Sequence, residues 1–199
     1  ILENNSQTEA EQNLNRFLEP VIHGAIIFLI RPNIPSFSII FARKKQLYRE
    51  MPTLNLPPYP YKLSKKEGKN FIFDELRKKY VALTPEEWVR QHFIHFLIEQ
   101  KGYPKGLLAN EIQINLNGTK KRCDTVLYNR DLTARMIVEY KAPQVEITQA
   151  VFDQITRYNI ILRVDYLIVT NGINHYCCRI DYEKNTYYFL PDIPMYAEL

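Results

Sequence analysis

Residues Met136 to Pro143 read Met-Ile-Val-Glu-Tyr-Lys-Ala-Pro. A short apolar run stopped by a proline predicts a buried strand, and residues two apart on a strand point to the same face. Glu139 and Lys141 therefore stand side by side inside a segment that otherwise belongs in a core. Burying charge is costly unless the charge is paired or binds a metal. Any fold that accepts this strand must supply such a partner. The same conflict recurs upstream, where Asp124 lies in Cys123-Asp-Thr-Val-Leu-Tyr128. Two acids and a lysine brought to one place point to a magnesium site that hydrolyses phosphodiesters.

Whether they meet is a question of register. Polar residues 129–134 separate the two segments, which predicts an antiparallel hairpin. With a symmetric loop, 128 faces 135, 126 faces 137 and 124 faces 139. Asp124 then stands opposite Glu139, with Lys141 on the same face. A slip of one residue would send them to opposite faces.

The surrounding elements are marked by local chemistry. Thr84 is an N-cap, Pro85 occupies the first helical position and Glu87 completes a capping box, so a helix is predicted from about Pro85 to Lys101. Trp88, Phe93, Phe96 and Leu97 give it an apolar face, with His92 beside them. Glu111–Leu116 alternates with period two, and Asn117-Gly118 signals a tight turn into the next strand. A second helix is predicted from about Ile147 to Leu162. Asp165–Thr170 is almost wholly apolar and reads as a strand buried on both faces of a mixed or parallel sheet. A hairpin of about His175–Asp181 and Thr186–Leu190 follows.

Composition narrows the function classes. The chain has 199 residues, 46% hydrophobic and 24% charged, which can bury a core. Its net charge of +4 permits nucleic-acid binding without requiring it. The three cysteines form no Cys-x-x-Cys motif, which argues against zinc and against a disulfide framework and favours a reducing cytoplasm. The longest apolar run, Gly24 to Ile30, is too short for the roughly 18–20 residues of a membrane span. The first methionine is Met51. Residues 1–50 are therefore read as an N-terminal extension ahead of a domain at 51–199. The extension is either upstream sequence before a native start at Met51 or a genuine helix and hairpin cut from a longer chain.

The order helix, three strands, helix, strand, with Asp124 and Glu139-x-Lys141 on strands two and three, resembles the PD-(D/E)xK nuclease superfamily. Gln154-Ile-Thr-Arg-Tyr158 is similar to the Gln-x-x-x-Tyr element of the branch holding recombination nucleases and the N-terminal nuclease domain of type I restriction enzyme R subunits. Thr84-Pro-Glu-Glu-Trp-Val-Arg-Gln91 and Glu139-Tyr-Lys-Ala-Pro143 resemble that last family in particular. The likeness covers roughly Leu54 to Pro194. Cys123 departs from it, standing where the pattern has proline. The resemblance implies an α/β (α+β) fold with a restriction-endonuclease-like αβββαβ core, a mixed central sheet flanked by helices, here with an extra C-terminal hairpin. It implies a phosphodiester hydrolase acting on DNA, working with motor or specificity subunits of a restriction system.

The expected roles follow from the chemistry of the ion. Mg2+, or Mn2+ in its place, prefers oxygen ligands and keeps several waters. Asp124 and Glu139 would supply carboxylate oxygens and Tyr140 its backbone carbonyl. Lys141 would orient a water or stabilise developing negative charge. Gln154 and Tyr158, four apart on one helix face, would hold the phosphate backbone or the lysine. Glu87 is either a further metal ligand or simply part of the cap. Lys120, Lys121 and Arg122 form a basic tip that either contacts phosphates or is a solvated turn. Two other Glu-x-Lys triplets, at Glu67 and Glu99, fall in polar surroundings and read as decoys. His92 and His95 read as packing residues, and His175 is a weak candidate for the cleft. The competing reading is a module that keeps the nuclease fold to bind nucleic acid or a protein without cutting.

Overall fold

The computed structural model describes residues 51–116 and 118–199, except for the side chains of 114, 116, 119, 153, 154, 157, 158, 160 and 161. The expectations for residues 1–50 lie outside the described residues, as does Asn117. Met51–Leu199 forms one unit. Among the described residues no helix is long and apolar enough to cross a membrane.

A six-stranded mixed sheet carries the fold. Its strands are β4 (Leu108–Leu116), β5 (Thr119–Tyr128), β6 (Ala134–Tyr140), β7 (Tyr166–Thr170), β8 (His175–Asp181) and β9 (Thr186–Leu190), adjacent in that order. All pairs are antiparallel except β6 with β7, which is parallel and bridged by helix α2 (Gln149–Leu162). A parallel pair needs such a crossover, which buries its strands on both faces. Every residue of β7 is accordingly buried. Helix α1 (Pro85–Glu99) precedes the sheet.

The period-two alternation of β6 divides the core. Met136, Val138 and Tyr140 pack with Val89, Phe93, Ile94 and Leu97 of α1. Ile137 packs instead with Phe152 and Ile155 of α2 and with Val169 of β7. The two helices therefore cover opposite faces of the sheet. Thr84 caps α1 as expected, its Oγ1 accepting from Glu87 N–H at 3.0 Å. The capping box is only half made, because the Glu87 side chain is drawn to two arginines instead.

The sequence reading missed a three-stranded antiparallel sheet ahead of α1, formed by β1 (Leu63–Lys66), β2 (Lys69–Asp74) and β3 (Lys79–Ala82). Glu67 (φ 50°) and Gly68 (φ 77°) form the two-residue turn between its first strands. Both turn positions need positive φ, and Glu-Gly advertises this less clearly than Asn-Gly. The Glu67 triplet is thus a hairpin turn. The other decoy ends α1, with Lys101 paired to Asp192 at 2.8 Å.

The Pro-rich segment before β1 lies against α1 and the β7–β8 turn. Asn55 N–H donates to Gly172 O at 2.7 Å, and Trp88 Nε1 donates to Pro52 O at 3.1 Å. His92 and His95 pack against the Tyr59 ring, which stacks on His95 at 3.8 Å between centroids. His175 joins Thr170 Oγ1 to Asn55 O, at 2.7 and 3.1 Å. All three histidines are held in packing roles.

Candidate active site

The hairpin register decides what meets. Val126 pairs with Ile137 and Thr125 with Val138, as the symmetric loop requires. Only the loop end differs. Tyr128 pairs with Ala134, not Arg135, because an irregularity between Leu127 and Tyr128 shifts the ladder by one. At the other end the ladder stops at Thr125 and Val138, just before Asp124 and Glu139. The Tyr140 N–H, freed from the ladder, donates to Asp124 Oδ2 at 3.0 Å. The opening between β5 and β6 is therefore bridged by a carboxylate.

Glu139 and Lys141 project together, with Nζ 2.9 Å from Oε1. Their side chains are 7% and 19% exposed, and that of Asp124 is 15% exposed. Burial first, and then the charge of Asp124, push the Glu139 carboxyl up to about 7, against the pull of Lys141. Burial alone would lower the Lys141 ammonium. The hydrogen bond that Lys141 donates to Glu139 and the charges of Glu139, Asp124 and Glu86 outweigh it and hold the amine above the usual lysine range. Burial, then Glu139 and Asp124, push the Cys123 thiol up to about 12, so it stays protonated. The three predicted side chains thus share one electrostatic neighbourhood.

Two residues were missed. Arg90 on α1 donates from Nη2 to Asp124 Oδ1 at 2.8 Å. Glu86, 46% exposed, lies 3.7 Å from the same guanidinium. Its carboxyl is raised first by burial and then by Asp124, with Arg90 and Lys141 pulling it down. Glu86 rather than Glu87 is thus the α1 acid that couples to Asp124, Glu139 and Lys141. Glu87 is buried and held by Arg77 at 2.8 Å, Arg90 at 2.6 Å and Gln91 at 2.8 Å. Glu86 and Arg90 are four apart and share a helix face, but the spacing alone does not show which acids of other elements that face meets.

The basic tip lies on β5 two to four residues before Asp124. Lys120, Lys121 and Arg122 are all exposed, and Arg122 pairs with Glu111. Gln154 and Tyr158 stand on α2, whose core residues pack on the face of β6 that carries Ile137. Their side chains lie outside the described ones.

Hard carboxylate oxygens suit a divalent cation of the magnesium type, which proteins commonly hold through one or two carboxylates with water and substrate oxygens completing the shell. A cation between Asp124 and Glu139 would relieve the repulsion that raises Glu139. Among the described residues no three His, Cys, Asp or Glu side chains are gathered as a ready-made metal cage. Two carboxylates, Asp124 and Glu139, would leave most of the coordination of such an ion to water and substrate oxygens.

Comparison with known proteins bears on residues 85–194, more than half of the chain. They match the model of the family described as type I restriction enzyme R protein N terminus. A solved fragment assigned to an HsdR subunit of a type I restriction enzyme from Vibrio vulnificus YJ016 is similar at 21% identity and a TM-score of 0.43. The likeness covers 58% of this chain and 24% of that one, so this chain spans about a quarter of the length of that relative. No curated protein matches.

Proposed function

The chain belongs to the type I restriction enzyme R protein N-terminal family, and from that premise we propose that it is a magnesium-dependent nuclease that hydrolyses DNA phosphodiester bonds. The observation that supports this most is the meeting of Asp124, Glu139 and Lys141 where β5 and β6 part. Asp124, Glu139 and the Tyr140 carbonyl would hold the cation, with Glu86 as the α1 acid nearest them. When bound, such an ion polarises a phosphoryl oxygen and lowers the pKa of a bound water.

The chain's own residues supply the rest. Lys141, charged and anchored on Glu139, stands where it can orient an attacking water or neutralise a phosphorane oxygen. Lys120 and Lys121 supply the sequence-independent attraction to phosphates that dominates nonspecific DNA binding. Gln154 and Tyr158 extend that hold from α2. No Gly-x4-Gly-Lys-Ser/Thr phosphate loop occurs in the chain, so DNA translocation would come from motor subunits or segments of a restriction system.

One observation favours a second reading, a module that binds without cutting. Both Asp124 oxygens are already engaged, by Arg90 and by the Tyr140 N–H. Plasmid nicking with and without Mg2+ separates the two. The nuclease reading expects Mg2+-dependent nicking that is lost in folded Glu139→Ala. DNA binding with no nicking at any Mg2+ or Mn2+ concentration would leave the second reading standing. Equal cutting by wild type and Glu139→Ala would dismiss the assigned site.

A further inference from the structure

A closed ring of hydrogen bonds passes through Asp124. The Tyr140 hydroxyl donates to Thr125 Oγ1 at 3.0 Å, and Thr125 Oγ1 donates to Asn110 Oδ1 at 2.6 Å. Asn110 Nδ2 donates to Asp74 Oδ2 at 2.8 Å, and the same oxygen accepts from Arg77 Nε. Arg77 Nη2 donates to Glu87 Oε1 at 2.8 Å, and Arg90 Nη1 donates to Glu87 Oε2 at 2.6 Å. Arg90 Nη2 reaches Asp124 Oδ1 at 2.8 Å. Asp124 Oδ2 accepts from the Tyr140 N–H at 3.0 Å, which closes the ring.

We propose that Arg90 is a positioning residue, which through this ring fixes the orientation of the Asp124 carboxylate before any cation arrives. The proposal rests on the nuclease reading of the site and adds a residue that acts through Asp124 without touching substrate. β4 pairs with Thr125 and Cys123 on either side of Asp124, but the ladder between β5 and β6 ends at Thr125 and Val138. On the β6 side, hydrogen bonds of the Asp124 carboxylate take over where backbone pairing stops. Each Asp124 oxygen has its own donor, so the carboxylate cannot rotate without breaking a hydrogen bond. The donors come from α1 and β6, so the orientation is set by the packing of helix on sheet.

Only an arginine meets these demands. One terminal nitrogen binds Glu87 while the other binds Asp124, which uses the planar fork of the guanidinium. Glu111 lies 2.9 Å from Nη1, and Glu86 lies 3.7 Å from Nη2. The guanidinium also sits over the Tyr140 ring, 5.4 Å from its centroid. The Arg90 side chain is 4% exposed, so this arrangement is largely shielded from water and from screening. An ammonium at the same place is a point charge without the fork and leaves the two carboxylates free to turn.

Amide hydrogen exchange of the cation-free protein in chelator tests this without any catalysis. In Arg90→Met, the Tyr140 amide is expected to exchange at least about ten-fold faster, while Ile137 and Val138 keep wild-type rates. Arg90→Lys is expected to fall between. Nicking by either variant should lose kcat with the DNA KM unchanged. A folded Arg90→Met whose Tyr140 amide exchanges at the wild-type rate overturns the proposal. If Arg90→Met does not fold, Arg90→Lys carries the same readout and the same criterion. Wild-type protein that never nicks DNA removes the nuclease reading and leaves the exchange result standing. Unchanged exchange in a protein that does nick removes only the role of Arg90.

Discussion

Glu139→Gln should stabilise the protein at high pH and do little at low pH. The Glu139 carboxyl titrates at about 7 in the fold against an ordinary 4.5, so the folded state binds its proton more tightly than the unfolded chain does. A raised pKa contributes stability that is fully present below the unfolded value and is lost as pH rises through the folded one. Wild type should therefore lose stability between about pH 4.5 and 7 from this group. A shift of this size corresponds to a cost on the order of 3 kcal/mol at pH 8, at about 1.4 kcal/mol per unit. Glutamine mimics the neutral form and escapes the cost, which is already net of the attraction of Lys141. A gain of up to roughly 3 kcal/mol at pH 8 is expected, equivalent to roughly 6–12 °C in Tm for a domain of this size. Urea titration followed by fluorescence of the single tryptophan, Trp88, at pH 5 and pH 8 in chelator would measure it. Equal destabilisation by Glu139→Gln at both pH values would refute the reasoning, because it would mean that Glu139 is a stabilising ion-pair partner and not a strained carboxylate.

Three further outcomes follow from the same contacts. Asp74→Ala should cost about 3–5 kcal/mol in urea titration, because a fully buried carboxylate is removed and Arg77 Nε and Asn110 Nδ2 lose their shared acceptor. Gly172→Ala should lower stability by about 1 kcal/mol or more by the same measurement. A Cβ there would meet Leu54 Cδ2 at 2.7 Å, and the backbone φ of +82° disfavours alanine. Replacing Lys120 and Lys121 together by Gln should weaken binding to any duplex and reduce the slope of log K against log salt by up to about 2, read by fluorescence anisotropy over a salt series.

Much of the fold was legible because local signals agreed with the global one. Thr84-Pro85 marked the start of α1, and the unbroken apolarity of Tyr166–Thr170 marked a strand buried on both faces. The approach of Asp124 to Glu139 and Lys141 was readable because period two ties register to face. The error at Tyr128 stayed small because a bulge at the loop end leaves the far end of the ladder unchanged. The β1–β3 sheet escaped because its outer strands are four residues each, too short for their alternation to stand out. Arg90 escaped for a different reason. Nothing local says that a helix arginine faces inward, since that depends on which acids other elements bring to it. The side-chain partners of Glu87 were hidden for a similar reason. Sequence showed the backbone cap at Glu87, whereas its side chain is claimed by Arg77 from a turn that sequence did not resolve as part of a sheet.

Calorimetric titration of Mn2+ into the wild type and Asp124→Asn tests most directly whether these acids form a cation site. A single saturable site in the wild type, weakened at least about ten-fold in a folded Asp124→Asn, is the expected result. Equal binding by both proteins, or none by either, would contradict the account.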